Sequence, residues 1–190
     1  MLDKIIDNIT KPGTNSIIAI DGRCASGKTT LSNQLKPKLD CNVIHLDDFF
    51  LRPHQRTEER IKTPGGNIDY ERFLKEVLNP LKTNQPFSYR PYDCKSNSLG
   101  NEISVLPKDY TIIEGSYACH PKFIDFLDYK IFMDIDPEEQ LKRIKERNGE
   151  IALKIFSEKW IPLEEKYFNY YKISKNCNLI IKNNEVILWK

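Results

Sequence analysis

The stretch IIAIDGRCASGKTTLSNQL, residues 17–35, decides how the rest of the chain is read. It opens on an apolar, β-branched run and closes on a tail of helical character, and between them Gly22, Gly27, Lys28 and Thr29 meet the spacing G-x-x-x-x-G-K-[ST] without a gap. Glycines at those places let the backbone wrap so that its N–H groups converge on phosphate oxygens. The lysine reaches the terminal phosphates and the threonine hydroxyl reaches Mg²⁺. A strand before and a helix after are the setting this mechanism requires. The loop of Gly22, Arg23, Cys24, Ala25, Ser26, Gly27, Lys28, Thr29 and Thr30 is therefore expected to hold the triphosphate of ATP or GTP with Mg²⁺.

Working outward, residues 16–20, 42–46, 110–114, 129–135 and 178–182 are short β-branched runs that suit strands covered on both faces. Segments of helical character lie at 29–38, 70–82, 121–127 and 137–148. This alternation predicts an α/β, doubly wound P-loop fold with a mostly parallel five-stranded sheet, binding ligands at the carboxyl ends of its strands. Residues 87–93 and 101–107 read as a β-hairpin arm, about 87–107, with its tip at 96–100. Residues 150–174, rich in aromatics and charges, read as helical despite Pro162. With 190 residues, no repeat and no long linker, the chain reads as a single domain, 1–190.

Lys plus Arg exceed Asp plus Glu by only 29 to 27, a net charge of +2, which provides no field for capturing nucleic acid or an anionic membrane surface. The five cysteines include no C-x-x-C pair, which argues against a disulfide framework and a zinc site and for a reducing, cytoplasmic setting. Asp3, Lys4 and Asp7 interrupt the first ten residues before a signal-like apolar core can form, and no stretch approaches membrane-spanning length. The expected partner is a small molecule, with no nucleic acid and no membrane; a homo-oligomer is left open.

A phosphate loop serves switches, motors and kinases alike. No N-K-x-D element marks a GTPase switch, and no L-S-G-G-Q marks a transporter ATPase. In HLDDFFL, Asp47 and Asp48 stand where the second strand should end, beside the phosphate loop, and either carboxylate there can accept the proton of an attacking hydroxyl. Further on, Asp136 followed by Pro137, Glu138 and Glu139 is a helix start with a cap, a proline at the first position and acids at the positive end of the dipole. Arg143 and Arg147 share one face of that helix, and Gly149 offers a hinge or a stop. A lid at about 137–150 carrying movable arginines suits a phosphotransferase, which must exclude water and neutralise the transferring group.

The elements GRCASGKTT, HLDDFF, GGNIDYERF, YTIIEG and DPEEQLKRIKERNG, in this order, resemble the uridine kinase and phosphoribulokinase group of P-loop kinases over nearly the whole chain. The resemblance implies an ATP-dependent transfer of the γ-phosphoryl to a hydroxyl acceptor. It places the general base on Asp47 and the organiser of the metal and its waters on Glu114, with Thr29 and Asp47 completing the metal side. It places the ribose-binding carboxylate of an N-x-D element on Asp69 and the lid arginines on Arg143 and Arg147. Asp69 also stands where a cap for a helix starting at Tyr70 would stand. The chain departs from the family pattern at Phe50, where uridine kinases carry Tyr, and at Asn97, which replaces the base-reading His; Tyr92 is left as the candidate to stack on the acceptor. A nucleoside is the leading acceptor, and a sugar or vitamin-like alcohol, or a nucleotide-binding regulator with little turnover, stand as alternatives.

Overall fold

The computed structural model describes residues 2–11 and 13–189. Its centre is β1 (Ser16–Gly22), every residue of which is buried. That burial explains the continuous apolar run, because β1 pairs in parallel with a strand on each side and has helices over both faces. The elements run α1 (Leu2–Ile9), β1, α2 (Lys28–Leu39), β2 (Asn42–His45), α3 (Glu58–Lys62), α4 (Tyr70–Phe73) and α5 (Asn79–Leu81). The arm follows with β3 (Phe87–Tyr89), β4 (Tyr92–Asp93), β5 (Ser98–Leu99) and β6 (Ile103–Val105). The chain then returns to the sheet with β7 (Tyr110–Glu114), β8 (Tyr129–Asp134), α6 (Pro137–Ile155), α7 (Ile161–Tyr171), β9 (Leu179–Lys182) and β10 (Glu185–Trp189).

The main sheet has the order β10-β9-β8-β1-β7-β2. From β1 the chain builds one side through β2 and β7, then crosses to build the other through β8 and β9. The phosphate loop leaves β1 at this reversal, where open α/β sheets bind their ligands. Alternate residues of β1 serve opposite cores. Ile17 and Ala19 pack with Phe49, Phe73 and Tyr167, whereas Ile18 and Ile20 pack with Ile5, Leu31 and Leu35 under α1 and α2. Gly22 ends the strand at φ 138°, where a Cβ would lie 2.0 Å from the Met133 carbonyl oxygen, so a side chain there is excluded by sterics as well as by conformation.

The structure extends the sequence reading in places. Among the described residues the sheet has six strands rather than five, because β10 returns antiparallel to β9 through Asn183 and Asn184, both at positive φ. This asparagine pair is a tight hairpin turn signal. Residues 121–127 are not an α-helix: Pro121–Phe126 forms 3₁₀ turns. The arm is a hairpin broken into two ladders, β3 with β6 and β4 with β5, and its tip falls at 94–97 because Ser98 and Leu99 are paired. Residues 150–174 are helical over most of their length, and the lid helix α6 is kinked at Gly149, with φ 82° and ψ 173°. Asp136 holds the N-cap position without a capping bond, its carboxylate instead meeting Asn183 Nδ2 at 2.7 Å and Lys182 Nζ at 2.6 Å.

Candidate active site

Gly27, left-handed at φ 98°, turns the chain from the loop into α2, so the helix N-terminus and the loop amides face the same space. Lys28 folds back across the loop, its Nζ donating to the carbonyls of Gly22 at 2.8 Å and Arg23 at 2.9 Å. Thr29 Oγ1 donates to Glu114 Oε1 at 3.1 Å, tying the start of α2 to the end of β7. His45 Nδ1 meets the same carboxylate oxygen at 2.6 Å; this bond, outweighing burial, raises the imidazole's pKa.

Beneath the loop, the fully buried Asp21 accepts from Gly22 N at 2.7 Å, Tyr117 N at 3.0 Å, Cys119 N at 2.9 Å and Tyr167 Oη at 2.8 Å. Burial pushes its carboxyl up to about 6 against the pull of those donors. Asp21 thereby ties the phosphate loop to the turn after β7 and to α7. The Cys24 thiol is pushed up to about 12, first by burial and then by Glu164, which rules it out as a thiolate nucleophile at neutral pH.

A cavity of about 930 Å³ opens above these groups. One wall carries Cys24, Ala25, Gly27, Lys28, Thr29 and Thr30 of the loop. A second carries Asp47, Glu114, Ser116 and Glu164, and the lid presents Arg143 and Arg147. The far end is mainly apolar, with Phe50, Leu51, Ile61, Phe156, Trp160 and Leu163. Phe50 and Trp160 meet across it with ring centroids 6.1 Å apart. Asp47 is open to the cavity yet ringed by protein atoms and neighbouring acids, so burial raises its pKa and Lys28 pulls it back. Asp48 turns away, accepting from Tyr89 Oη at 3.3 Å.

The cavity thus brings together the loop, Asp47, Glu114 and both lid arginines. Arg143 also pairs with Glu139 at 2.8 Å, and Arg147 Nε bonds to Asn148 Oδ1 at 2.7 Å. Arg23 points elsewhere, pairing with Asp134 and, at 2.6 Å, with Glu165. Asp69 lies outside the cavity lining and is 1% exposed; it caps α4 through Arg72 N at 3.1 Å and accepts from Gln55 Nε2 at 2.9 Å. Tyr92, also outside the lining, is buried, and its hydroxyl donates to Asn97 Oδ1 at 2.9 Å. Glu164, Ser116 and Trp160 are cavity residues that motif spacing did not single out, whereas Asn67, which also lines the cavity, is the first residue of the N-x-D element.

Among the described residues no cluster of three or more His, Cys, Asp and Glu is arranged as a metal centre. The hard oxygens of Thr29 and Glu114, 3.1 Å apart, with Asp47 on the same cavity, suit Mg²⁺. That ion is held by few protein oxygens and completes its shell with water and substrate phosphates.

A strand, a phosphate loop and a helix with these contacts, at the switch point of a parallel sheet, define a P-loop nucleotide-binding domain. The family model described as an AAA domain matches residues 18–159, and the chain belongs to that family. It is 32% identical over 139 residues to the uridine kinase of Staphylococcus haemolyticus (strain JCSC1435), the match covering 67% of this chain and 66% of that one. It is 31% identical, over the same shares, to the uridine kinase of Staphylococcus aureus (strain JH9). The match therefore spans just under two thirds of these relatives' length. Among solved structures, a possible uridine kinase from Bacillus stearothermophilus superposes with a TM-score of 0.70 at 22% identity, covering 94% of this chain and 96% of that one. The D-glycerate 3-kinase of Cryptococcus neoformans gives 0.62 at 14% identity, covering 98% and 95%. Both share the fold.

Proposed function

We propose that the chain is a kinase that transfers the γ-phosphoryl of ATP or GTP to a hydroxyl of a small molecule, a nucleoside being the leading acceptor. The observation that carries this reading is the single cavity in which the phosphate loop, Asp47 and the lid arginines face an apolar end built on Phe50 and Trp160. The loop amides and Lys28 bind and orient the triphosphate. Thr29 and Glu114, with Asp47, are the residues to hold Mg²⁺, which when bound offsets charge on the phosphates. Asp47 takes the proton of the attacking hydroxyl, and Arg143 and Arg147 close on the transferring group, excluding water and stabilising its charge. The uridine kinase relatives support a nucleoside acceptor; the apolar end suits a planar ring beside the reacting hydroxyl.

The test is ADP release under Mg²⁺ and ATP across nucleosides, sugars and vitamin-like alcohols. Acceptor-dependent ADP with a nucleoside supports the reading. ADP with a sugar or vitamin alcohol alone reassigns the acceptor. Tight ATP binding with no acceptor-dependent ADP from any of them replaces the kinase with a nucleotide-binding regulator.

A further inference from the structure

The turn that carries Asp47, Leu46–Phe49, is a single 3₁₀ stretch that gives way to extended backbone at Phe50, so its closing carbonyls have no donors further along the turn. Both are met from the start of α4. Phe49 O accepts from Asp69 N at 2.7 Å, and Asp48 O accepts from Arg72 Nη2 at 2.9 Å. The first bond is backbone to backbone, but the second needs this side chain.

Arg72 is buried, and the same Nη2 also donates to Arg90 O at 3.0 Å, at the root of the arm between β3 and β4. The Arg90 guanidinium carries the connection on, donating to Gly100 O at 2.7 Å and Leu99 O at 3.0 Å on the returning side of the arm. Ring packing follows the same line. Arg72 Cζ lies 4.3 Å from the centre of the Phe49 ring, and Phe49 meets Tyr89 of β3 with centroids 5.3 Å apart. The Tyr89 hydroxyl, bonded to the Asp48 carboxylate, closes the circuit. One guanidinium thus joins the turn of Asp47 to the arm, whose tip sets Cys94 on the cavity wall.

The arrangement is poor as a stability device. Burial lowers the Arg72 pKa, Nη1 has no hydrogen-bond partner, and Glu76 pairs with Nε at 3.2 Å without the alignment of a hydrogen bond. A charge buried with so few bonds adds little to stability, and an apolar side chain of like volume often does as well. What the guanidinium supplies and an apolar side chain cannot is a donor aimed at both carbonyls.

We propose that Arg72 is a positioning residue for the transfer, holding the turn of Asp47 and the root of the arm in one frame so that the base and the arm tip stay in register across the cavity. The role rests on the kinase reading above and adds to it a residue that lies outside the cavity lining. Its link runs through the Asp48 carbonyl and not through the phosphate loop, so its loss acts on kcat and leaves nucleotide binding alone.

The experiment compares Arg72→Met and Arg72→Lys with the parent as full chains, measuring ADP release under saturating Mg²⁺ and ATP with the fastest acceptor among uridine, D-fructose and D-glycerate. Methionine keeps an unbranched stem over Phe49 and loses the donor; lysine keeps the cation and a donor on a shorter reach. The folded fraction is read from the thermal transition. Per folded molecule, kcat is expected to fall roughly ten- to hundredfold in Arg72→Met, the effect of about an ångström of misplacement, and roughly three- to tenfold in Arg72→Lys. KM for ATP is expected within about threefold of the parent in both. Glu76→Gln, which removes only the ion pair, is expected to leave kcat within about twofold. A parental kcat in Arg72→Met, whatever its melting temperature, assigns the side chain to packing and overturns the role while the kinase reading stands. A rise in KM for ATP as large as the fall in kcat marks general damage to the site and overturns it as well. If Arg72→Met does not fold, Arg72→Lys carries the test, and a parental kcat there overturns the role. Absence of ADP release by the parent with all three acceptors overturns this assignment, and the wider acceptor panel then decides the kinase reading itself.

Discussion

The Glu164 carboxylate accepts the backbone N–H of Cys24 at 3.0 Å, so α7, which follows the lid, is bonded directly to the phosphate loop. Its other oxygen accepts from Ser116 Oγ at 2.7 Å, and that hydroxyl oxygen stands 3.4 Å from Lys28 Nζ. A nearly buried negative charge therefore shares a wall with the groups meant for a polyanion, and it raises the thiol pKa of Cys24 alongside burial.

Glu164→Gln keeps an oxygen for the Cys24 amide and removes the charge. Relief of repulsion across a partly shielded cavity is worth about 1–2 kcal/mol, so affinity for ATP with Mg²⁺ is expected to rise roughly five- to thirtyfold. Equilibrium titration of the nucleotide checks this, and an unchanged or weaker affinity would show that the carboxylate serves the loop's geometry instead.

Lys28→Ala removes the cation that bridges the Gly22 and Arg23 carbonyls beside the triphosphate site. Turnover with the best acceptor is expected to fall by roughly two to three orders of magnitude, as when one pre-organised charge-stabilising donor is lost. ADP release near the parent rate would remove the phosphate loop from the chemistry.

How much of this was legible in the sequence differs by element. The loop is local: Gly22, Gly27, Lys28 and Thr29 impose their own geometry, and β1 and β7 announce themselves as continuous apolar runs because they are buried on both faces, while the half-buried edge strand β2 and the alternating β9 are marked by their β-branched residues. The edge strand β10 alternates exposed and half-buried residues, a weaker pattern, although Asn183 and Asn184 signalled the turn before it. Asp69 shows the limit of a motif. Its spacing fits both a ligand contact and a helix cap, and only the bonds from Arg72 N and Gln55 Nε2 reveal how the carboxylate is engaged. Glu164 carries no local signature, since its partner Cys24 lies 140 positions away and meets it only in the fold.

His120 gives the fold an acid-sensitive limb. It is 3% exposed, stacked on Tyr70 and Tyr167, and its pKa is lowered to about 4, by burial first and then by Lys122 and Arg60. A histidine held neutral in the native state stabilises the fold above its ordinary value near 6.5. That contribution, on the order of 3 kcal/mol, is lost as pH falls from about 6.5 towards 4. Asp21, raised to about 6, works in the opposite sense: its contribution is present below about 3.8 and lost as pH rises through 6. His120→Phe keeps an aromatic ring in the stack and is expected to flatten the acid limb of melting temperature between pH 6.5 and 4. An unaltered limb in that variant would assign the acid sensitivity to another group.

Asp47 is the carboxylate that shares the cavity with Lys28, the lid arginines and the apolar end, while Asp48 is engaged with Tyr89. The transition state of phosphoryl transfer is largely loose, so the hydroxyl surrenders its proton late and an aspartate is a strong enough base. Burial raises the Asp47 pKa in the free protein, so the acid limb of kcat/KM is expected above the ordinary aspartate range: activity falls on acidification as this carboxylate is protonated. Asparagine preserves the shape and can still hydrogen-bond the hydroxyl, but it cannot take the proton. Asp47→Asn is therefore expected to lower kcat by roughly two to four orders of magnitude and to erase that limb, with nucleotide affinity nearly unchanged. Turnover within a fewfold of the parent would move the base to another carboxylate of the cavity wall, with Glu114 first. A parallel collapse of affinity for ATP with Mg²⁺ would instead make Asp47 chiefly a metal-side residue.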